Sequence, residues 1–206
     1  MAASLSTPAG IVREDASVTA DVPRLLTVRL ALRGWTDADR EPFAALNAEP
    51  DVATWLSRPL DRAGSDTFID RMLERWWLDG FGLWAVERLE DGALIGMTGL
   101  SVPAWAPERS VEIGWRLARS AWGRGFATEA ARAAVRFAFE EVRLDALVSY
   151  TAGLNVRSRA VMERLGMRVD PSAAFEYPGF PEGHPLRPHV TYRLRRADWA
   201  AARPVS

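Results

Sequence analysis

A mixed α/β domain, with a mostly antiparallel sheet and helices on both faces, is the fold class that three observations predict. Between Leu83 and Leu117 three period-two segments follow one another across short turns, the pattern of an antiparallel meander. A strongly amphipathic, alanine-rich segment, FATEAARAAVRFAFEEV from Phe126, predicts a long helix directly after them. Helical patterns precede the meander, and a further strand and short helix follow the long helix, so the elements mix within one domain. The predicted order is β-α-α-β-β-β-α-β-α-β-β.

The elements follow from the amino terminus. Residues 1–22 are rich in Ala, Ser and Thr with no sustained periodicity and read as a leader, leaving residues 23–200 as a single domain and 201–206 as a tail. LLTVRLALR after Arg24 alternates as a strand. Thr36 with Asp39 three residues on offers helix-start chemistry for a first helix containing Phe43, Ala45 and Leu46. A second helix follows Ser65 with Phe68, Ile69, Met72, Leu73 and Trp76 on one face, and Gly80 and Gly82 end it. The strands LWAVERL, ALIGMTGLSV and SVEIGWRL come next, the first two separated by Asp91-Gly92. In the long helix Ala127, Ala131, Ala134, Ala138 and Val142 form a small-residue face that allows close approach to a sheet. DALVSYT is a strand, Asn155 to Leu165 a short helix closed by Gly166, and the chain ends on a strand near His189 to Leu194.

Composition removes several reaction classes. The 206 residues contain no Cys, and every one of the 26 basic residues is Arg. Thiol nucleophiles, disulfides, iron-sulfur clusters and thiolate zinc sites are excluded, and two His are too few for a histidine-rich metal centre. Without Lys there is no Schiff base and no P-loop lysine. A formal charge of -1 gives no global pull toward nucleic acid or anionic lipid. No apolar run reaches membrane-span length, and the start lacks a signal-peptide layout, so a cytoplasmic protein without membrane or nucleic-acid partners is expected.

The chemistry concentrates in Ser120 to Glu129, where Gly123 and Gly125 stand at the mouth of the long helix. Glycine there lets backbone N-H groups turn toward a ligand, and the helix N-terminus adds about half a positive charge. Together they make an anion site suited to phosphate; the plainer reading is a tight strand-to-helix turn. In the preceding strand Gly114 interrupts an alternation that puts Val111, Ile113, Trp115 and Leu117 on one face and Glu112 with Arg116 on the other. A strand glycine marks a bulge or a close ligand approach. Glu112 is either a general base raised by burial or a strand carboxylate paired with Arg116.

The run EIGWRLARSAWGRGFATEAARAAVRFAFEEVRLDALVSYTAGLNVRSRAVMERLGMR resembles the central half of a GNAT-superfamily N-acetyltransferase, closest to the RimJ/RimL branch of ribosomal-protein acetyltransferases. Four features carry the resemblance in register: E-I-G-W on the strand, W-G-x-G-[YF]-A-T-E-A at the helix start, N-x-x-S-x-x-V-M-E-[RK]-L-G-M later, and an opening like L-x-L-R-x-W/T-D-x-D. It spans about 170 residues. The resemblance implies the GNAT fold, acetyl-CoA as co-substrate without a metal, and a backbone cradle for its pyrophosphate from Gly123 through Arg124, Gly125, Phe126 and Ala127 to Thr128. It also implies strand-like pairing of the pantetheine arm along Trp115 to Ala118, with the Leu117 N-H as oxyanion donor. Asn155 and Ser158 would face the same cleft, Asn155 doubling as a helix cap.

Two positions depart from the family pattern. Ser120 stands where many members carry Gln or Arg, with Arg119 or Arg124 as the replacement donor, and Met162 stands where many carry a tyrosine general acid, leaving Ser158 as the substitute. The implied reaction is direct acetyl transfer to a primary amine, on a protein N-terminus or a small molecule, with Glu112 as base, Asn155 and Ser158 assisting, and a monomer or homodimer as the working form. Trp55, Tyr177 and His184 are the candidate acceptor residues. Trp76, Trp77 and Trp84 could wall the same channel or belong to the core, and His189 reads as structural. Two other classes compete: a non-catalytic acetyl-CoA sensor, and a nucleotide-phosphate enzyme that lacks the needed Lys and magnesium carboxylates.

Overall fold

In the computed structural model residues 22–108 and 110–202 are described. The expected leader lies outside them except for Val22, which packs against the core, and of the expected tail only residues 201–202 lie within them. Eight strands form one sheet in the order β1-β2-β3-β4-β5-β6-β8-β7. They are β1 (Leu25–Leu26), β2 (Leu30–Arg33), β3 (Leu83–Arg88), β4 (Leu94–Ser101), β5 (Glu112–Leu117), β6 (Ala146–Ala152), β7 (Arg168–Glu176) and β8 (Pro188–Arg195). Every pairing is antiparallel except β5 with β6. The helices are α1 (Arg40–Ala48), α2 (Pro50–Ala53), α3 (Arg62–Asp79), α4 (Phe126–Glu140), α5 (Val156–Arg164) and α6 (Arg196–Ala201).

The segment expected as one opening strand is a tight β1-β2 hairpin, and the short α2 and α6 are additions to the expected order. α3 starts three residues before Ser65 because the Asp61 carboxylate accepts the Gly64 N-H at 2.7 Å, a cap worth about 1 kcal/mol. Helix α4 crosses over between β5 and β6 and packs on β2, β4 and β5. Ala131, Ala134 and Ala138 are fully buried, as their small-residue face requires, and Ala130, Phe126 and Phe139 widen that buried face. Trp76, Trp84 and Phe137 interlock edge to face with ring centroids 4.7 to 6.1 Å apart. That places Trp76 and Trp84 in the core, while Trp77 is exposed, so none of the three walls a channel. The other face of the sheet packs Trp35, Phe43, Leu46 and Ile69 from the α1 and α3 side.

The bulge foreseen at Gly114 is absent. The β4-β5 register runs unbroken from Gly96 opposite Leu117 to Ser101 opposite Glu112, and the irregularity lies instead between Val86 and Glu87. A Cβ built on Gly114 would meet nothing within 4 Å, so the glycine lies open to the cleft. It leaves an open patch on the sheet.

Candidate active site

Parallel strands β5 and β6 pair at one register position, Glu112 opposite Val148. The Val148 N-H reaches the Val111 carbonyl at 3.0 Å, and Ser149 Oγ donates to the Ile113 carbonyl at 2.8 Å. Beyond this the strands part. The Ala118 N-H donates to Ile95 of β4 at 3.0 Å, so alternation turns the N-H groups of Trp115 and Leu117 into the gap. The Leu117 carbonyl is taken by the Trp122 indole N-H at 2.8 Å. The gap opens into a cleft of about 2090 Å³. A single small-molecule pocket occupies roughly 300–1,000 Å³, and this cleft is larger than one.

At one end of the cleft stands the glycine cradle. Gly123 and Gly125 have φ of 72° and 80°, the left-handed region that favours glycine, and a Cβ on Gly123 would meet nothing within 4 Å. Gly125 is the N-cap of α4 with no side-chain cap, and the first intrahelical bond is Glu129 N-H to its carbonyl, so the N-H groups of Phe126, Ala127 and Thr128 are unclaimed. This fits an anion. Arg29, which no sequence motif marks, organises the loop. Its guanidinium bonds the Glu129 carboxylate at 2.6 and 2.7 Å and the Arg124 carbonyl at 3.0 Å, and it lies 4.4 Å from the Phe126 ring. Glu129, an acid in the first turn beside the cradle, is thereby neutralised.

The other proposed donors divide. Arg124 stacks 4.9 Å over Phe126. Arg119 turns to α2: its N-H donates to Glu49 at 2.7 Å and its guanidinium to Asp51 at 3.0 Å. Neither Arg119 nor Ala118 lines the cleft. Asn155 caps α5 by accepting the Ser158 N-H at 3.1 Å, and Ser158 Oγ accepts the Trp115 indole N-H at 3.1 Å. Both line the cleft, and the Ser158 hydroxyl proton is free to donate.

Glu112 stands where the strands separate. Among the described residues it has no cation partner; Arg116, two positions beyond Gly114 on the same face, bonds Asn47 instead. Pairing with Arg116 is therefore not the role of this carboxylate. Burial pushes its pKa from 4.5 to about 8 against the pull of bonds from the Ser101 hydroxyl and the Tyr150 N-H. The residue still touches the open cleft at its edge.

Another wall of the cleft is aromatic. Trp55 and Tyr177 line the cleft as expected. His184 does not: it stacks on Phe180 at 4.6 Å, and its Nδ1 accepts the Leu186 N-H. His189 takes that place, lining the cleft 4.8 Å from Tyr177, with its pKa lowered by burial. The two histidines thus exchange their expected positions relative to the cleft, because the turn at His184 folds back on itself while β8 carries His189 across the sheet. Trp105 and Tyr150, foreseen by no motif, pack against each other at 5.4 Å in the same wall. The Tyr150 hydroxyl is buried without a partner, and burial first, then Glu108 and Glu112, raise its pKa to about 12.

A splayed parallel pair, a backbone anion cradle and a carboxyl without a cation partner between them make a cleft suited to a phosphate-bearing ligand. The chain belongs to the GNAT acetyltransferase family: the pattern of the acetyltransferase (GNAT) domain matches residues 29–168. It is an acyltransferase acting on amines, similar to the RimJ/RimL branch. An acetyltransferase structure from Agrobacterium tumefaciens strain C58 is 33% identical, covering 89% of this chain and 99% of that one with a TM-score of 0.71. FsC-acetyl coenzyme A-N(2)-transacetylase of Aspergillus fumigatus is 31% identical over 86% of this chain and 78% of its own length. YdaF of Bacillus subtilis, named provisionally as a ribosomal N-acetyltransferase, is 31% identical over 72% of this chain and 80% of its own. Among the described residues no helix is long and apolar enough to cross a membrane.

Proposed function

We propose that the chain transfers acetyl directly from acetyl-CoA to a primary amine, with Glu112 as general base. The observation that carries this reading is the lone, desolvated Glu112 carboxyl at the point where β5 and β6 part. Acetyl-CoA supplies an activated acetyl thioester. The N-H groups from Gly123 to Thr128 would hold its pyrophosphate, and the N-H groups of Trp115 and Leu117 would hold its arm. The Leu117 N-H would polarise the acetyl carbonyl, a donor of a kind worth roughly 3 kcal/mol at the transition state. Glu112 takes the proton of the entering ammonium, directly or through one water, and frees the lone pair for attack. The departing sulfur is a stable thiolate, so the Ser158 hydroxyl assists without being essential, and Asn155 holds that hydroxyl in place by capping α5. The names of the two relatives point to different acceptors, one ribosomal and one FsC, and a protein N-terminus and a small amine both suit the aromatic wall.

The test is Glu112→Gln at neutral pH. The variant keeps the thermal shift given by acetyl-CoA and loses at least 100-fold in thiol release against an amine and peptide panel. Full turnover in the variant removes Glu112 as base. Acetyl-CoA binding without thiol release in the parent protein, for every acceptor tried, assigns the chain to sensing instead.

A further inference from the structure

Arg116 is the second charged group on the floor of the cleft, and acetyl transfer as derived above makes no use of it. It shares a face of β5 with Glu112, turned toward α1 and α3 and away from the glycine cradle that α4 carries on the opposite side. Nη1 donates to Oδ1 of Asn47 at 2.7 Å, and the amide of Asn47 donates to Ser65 Oγ at 3.0 Å. The Phe43 and Phe68 rings lie 5.9 and 5.3 Å from its Cζ. Among the described residues no carboxylate pairs with it, and burial lowers its pKa to about 10. A buried cation is ordinarily paired, since isolation costs several kcal/mol. The remaining guanidinium N-H groups are not sealed in protein: the Tyr150 hydroxyl is the orphaned buried side-chain atom among the described residues, and Arg116 lines the cleft.

Two further observations point the same way. Gly114 separates Glu112 from Arg116 and leaves the floor between them bare. Arg58 and Arg71, from the α2-α3 segment and α3, line the same cleft without a carboxylate partner among the described residues.

We propose that Arg116 is an anion-binding residue of the acceptor site, and that the acceptor is a primary amine that also carries a carboxylate or phosphate. The anion sits on the guanidinium while the amine faces Glu112 across Gly114. Four strand steps set the two Cα atoms about 13 Å apart, and both side chains are long enough to converge above the glycine. This assignment rests on the reading of the cleft as an amine acetyltransferase site.

The experiment uses the full chain with acetyl-CoA and follows thiol release for three matched series: ω-amino acids of two to six carbons, their neutral amides, and aminoalkyl phosphates of the same lengths. At least one anionic probe is expected to exceed its neutral counterpart tenfold or more in kcat/KM, the better series telling carboxylate from phosphate. In Arg116→Gln that preference falls below threefold, while the rate on neutral amides and the acetyl-CoA thermal shift are kept. A purely structural arginine would instead lower Tm and slow all series alike. Equal rates on anionic and neutral probes, no turnover of any anionic probe, or a preference that survives in Arg116→Gln each overturn the assignment. Failure of the underlying reading looks different: no acetyl-CoA shift, and no thiol release with any amine.

Discussion

Replacing Glu112 by Gln changes stability in a pH-dependent way that can be worked from the structure. The carboxyl titrates near 4.5 when exposed in the unfolded chain and near 8 in the fold, with burial as the cause. The folded chain therefore holds this proton more tightly, so the wild type loses stability as pH rises from 4.5 toward 8, and the neutral amide does not. At pH 7 the difference reaches about 3 kcal/mol at 1.36 kcal/mol per unit; water in the open cleft reduces it to roughly 1.5 kcal/mol. For a domain of this size that is about 3–6 °C in Tm. Thermal melts of both proteins at pH 5, 6, 7 and 8 should nearly coincide at pH 5 and separate progressively, the variant being the more stable. In the same window wild-type kcat/KM should climb about tenfold per unit and level near 8. Melting curves that keep a constant separation from pH 5 to 8 refute a desolvated Glu112, and with it the pH profile of activity.

Other perturbations test the parts around it. Arg29→Ala leaves the Glu129 carboxylate unneutralised beside the cradle and should weaken acetyl-CoA about 5- to 10-fold by calorimetry, roughly 1 kcal/mol, with Tm little changed. Gly125→Ala forces a side chain into φ of 80°, costing about 1–2 kcal/mol, and should lower both Tm and acetyl-CoA affinity. Burial pushes the Asp39 carboxyl up, but bonds from Arg33 at 2.7 and 2.8 Å and from Thr36 outweigh it and hold its pKa below the usual range. Its contribution is present above that range and lost as pH falls, so Asp39→Asn should cost about 3 kcal/mol in urea melts at pH 7 and less near pH 3.

The parts of the site that were legible in the sequence are those whose physics is local. The cradle at Gly123 and Gly125 needs only positive φ and a helix start, and the Asn155 cap needs only its own first turn. Alternation also assigned the faces of β5 correctly. What it could not assign were partners distant in the chain. Glu112 and Arg116 share a face, yet Arg116 turns to Asn47, which α1 brings over the sheet, and Glu112 is left without a cation among the described residues. Arg29 reaches Glu129 across the hairpin from a hundred residues away. Trp105 and Tyr150 meet because β6 lies beside the segment that precedes β5. The Gly114 bulge failed for a related reason: a glycine in a strand signals room, and here the room belongs to the cleft and not to the β4-β5 ladder. α6 is a single short turn pair after Arg195, too brief for any period to emerge.

The near-neutral balance of the chain conceals where its charge stands. Away from the cleft Arg meets acid, as in Arg33 with buried Asp39 and with Glu87, Arg40 with Asp37 and Asp70, and Arg193 with Glu108 and Asp170. The cleft is lined by nine Arg against three Glu and no Asp, and with Arg29 paired to Glu129 and Arg75 to Asp79 a positive excess still faces it. Nothing in the structure explains the absence of Lys from the surface, but at position 116 the choice has a physical consequence. Burial lowers the guanidinium from 12.5 to about 10, which leaves it fully charged at neutral pH. The same penalty on a lysine of ordinary pKa near 10.4 would bring it to roughly 8. Its ammonium would then carry a partial charge and release protons beside the carboxyl that we propose accepts one. Arginine lets the floor of the cleft hold a permanent cation two residues from Gly114 while Glu112, on the other side, remains the group that titrates.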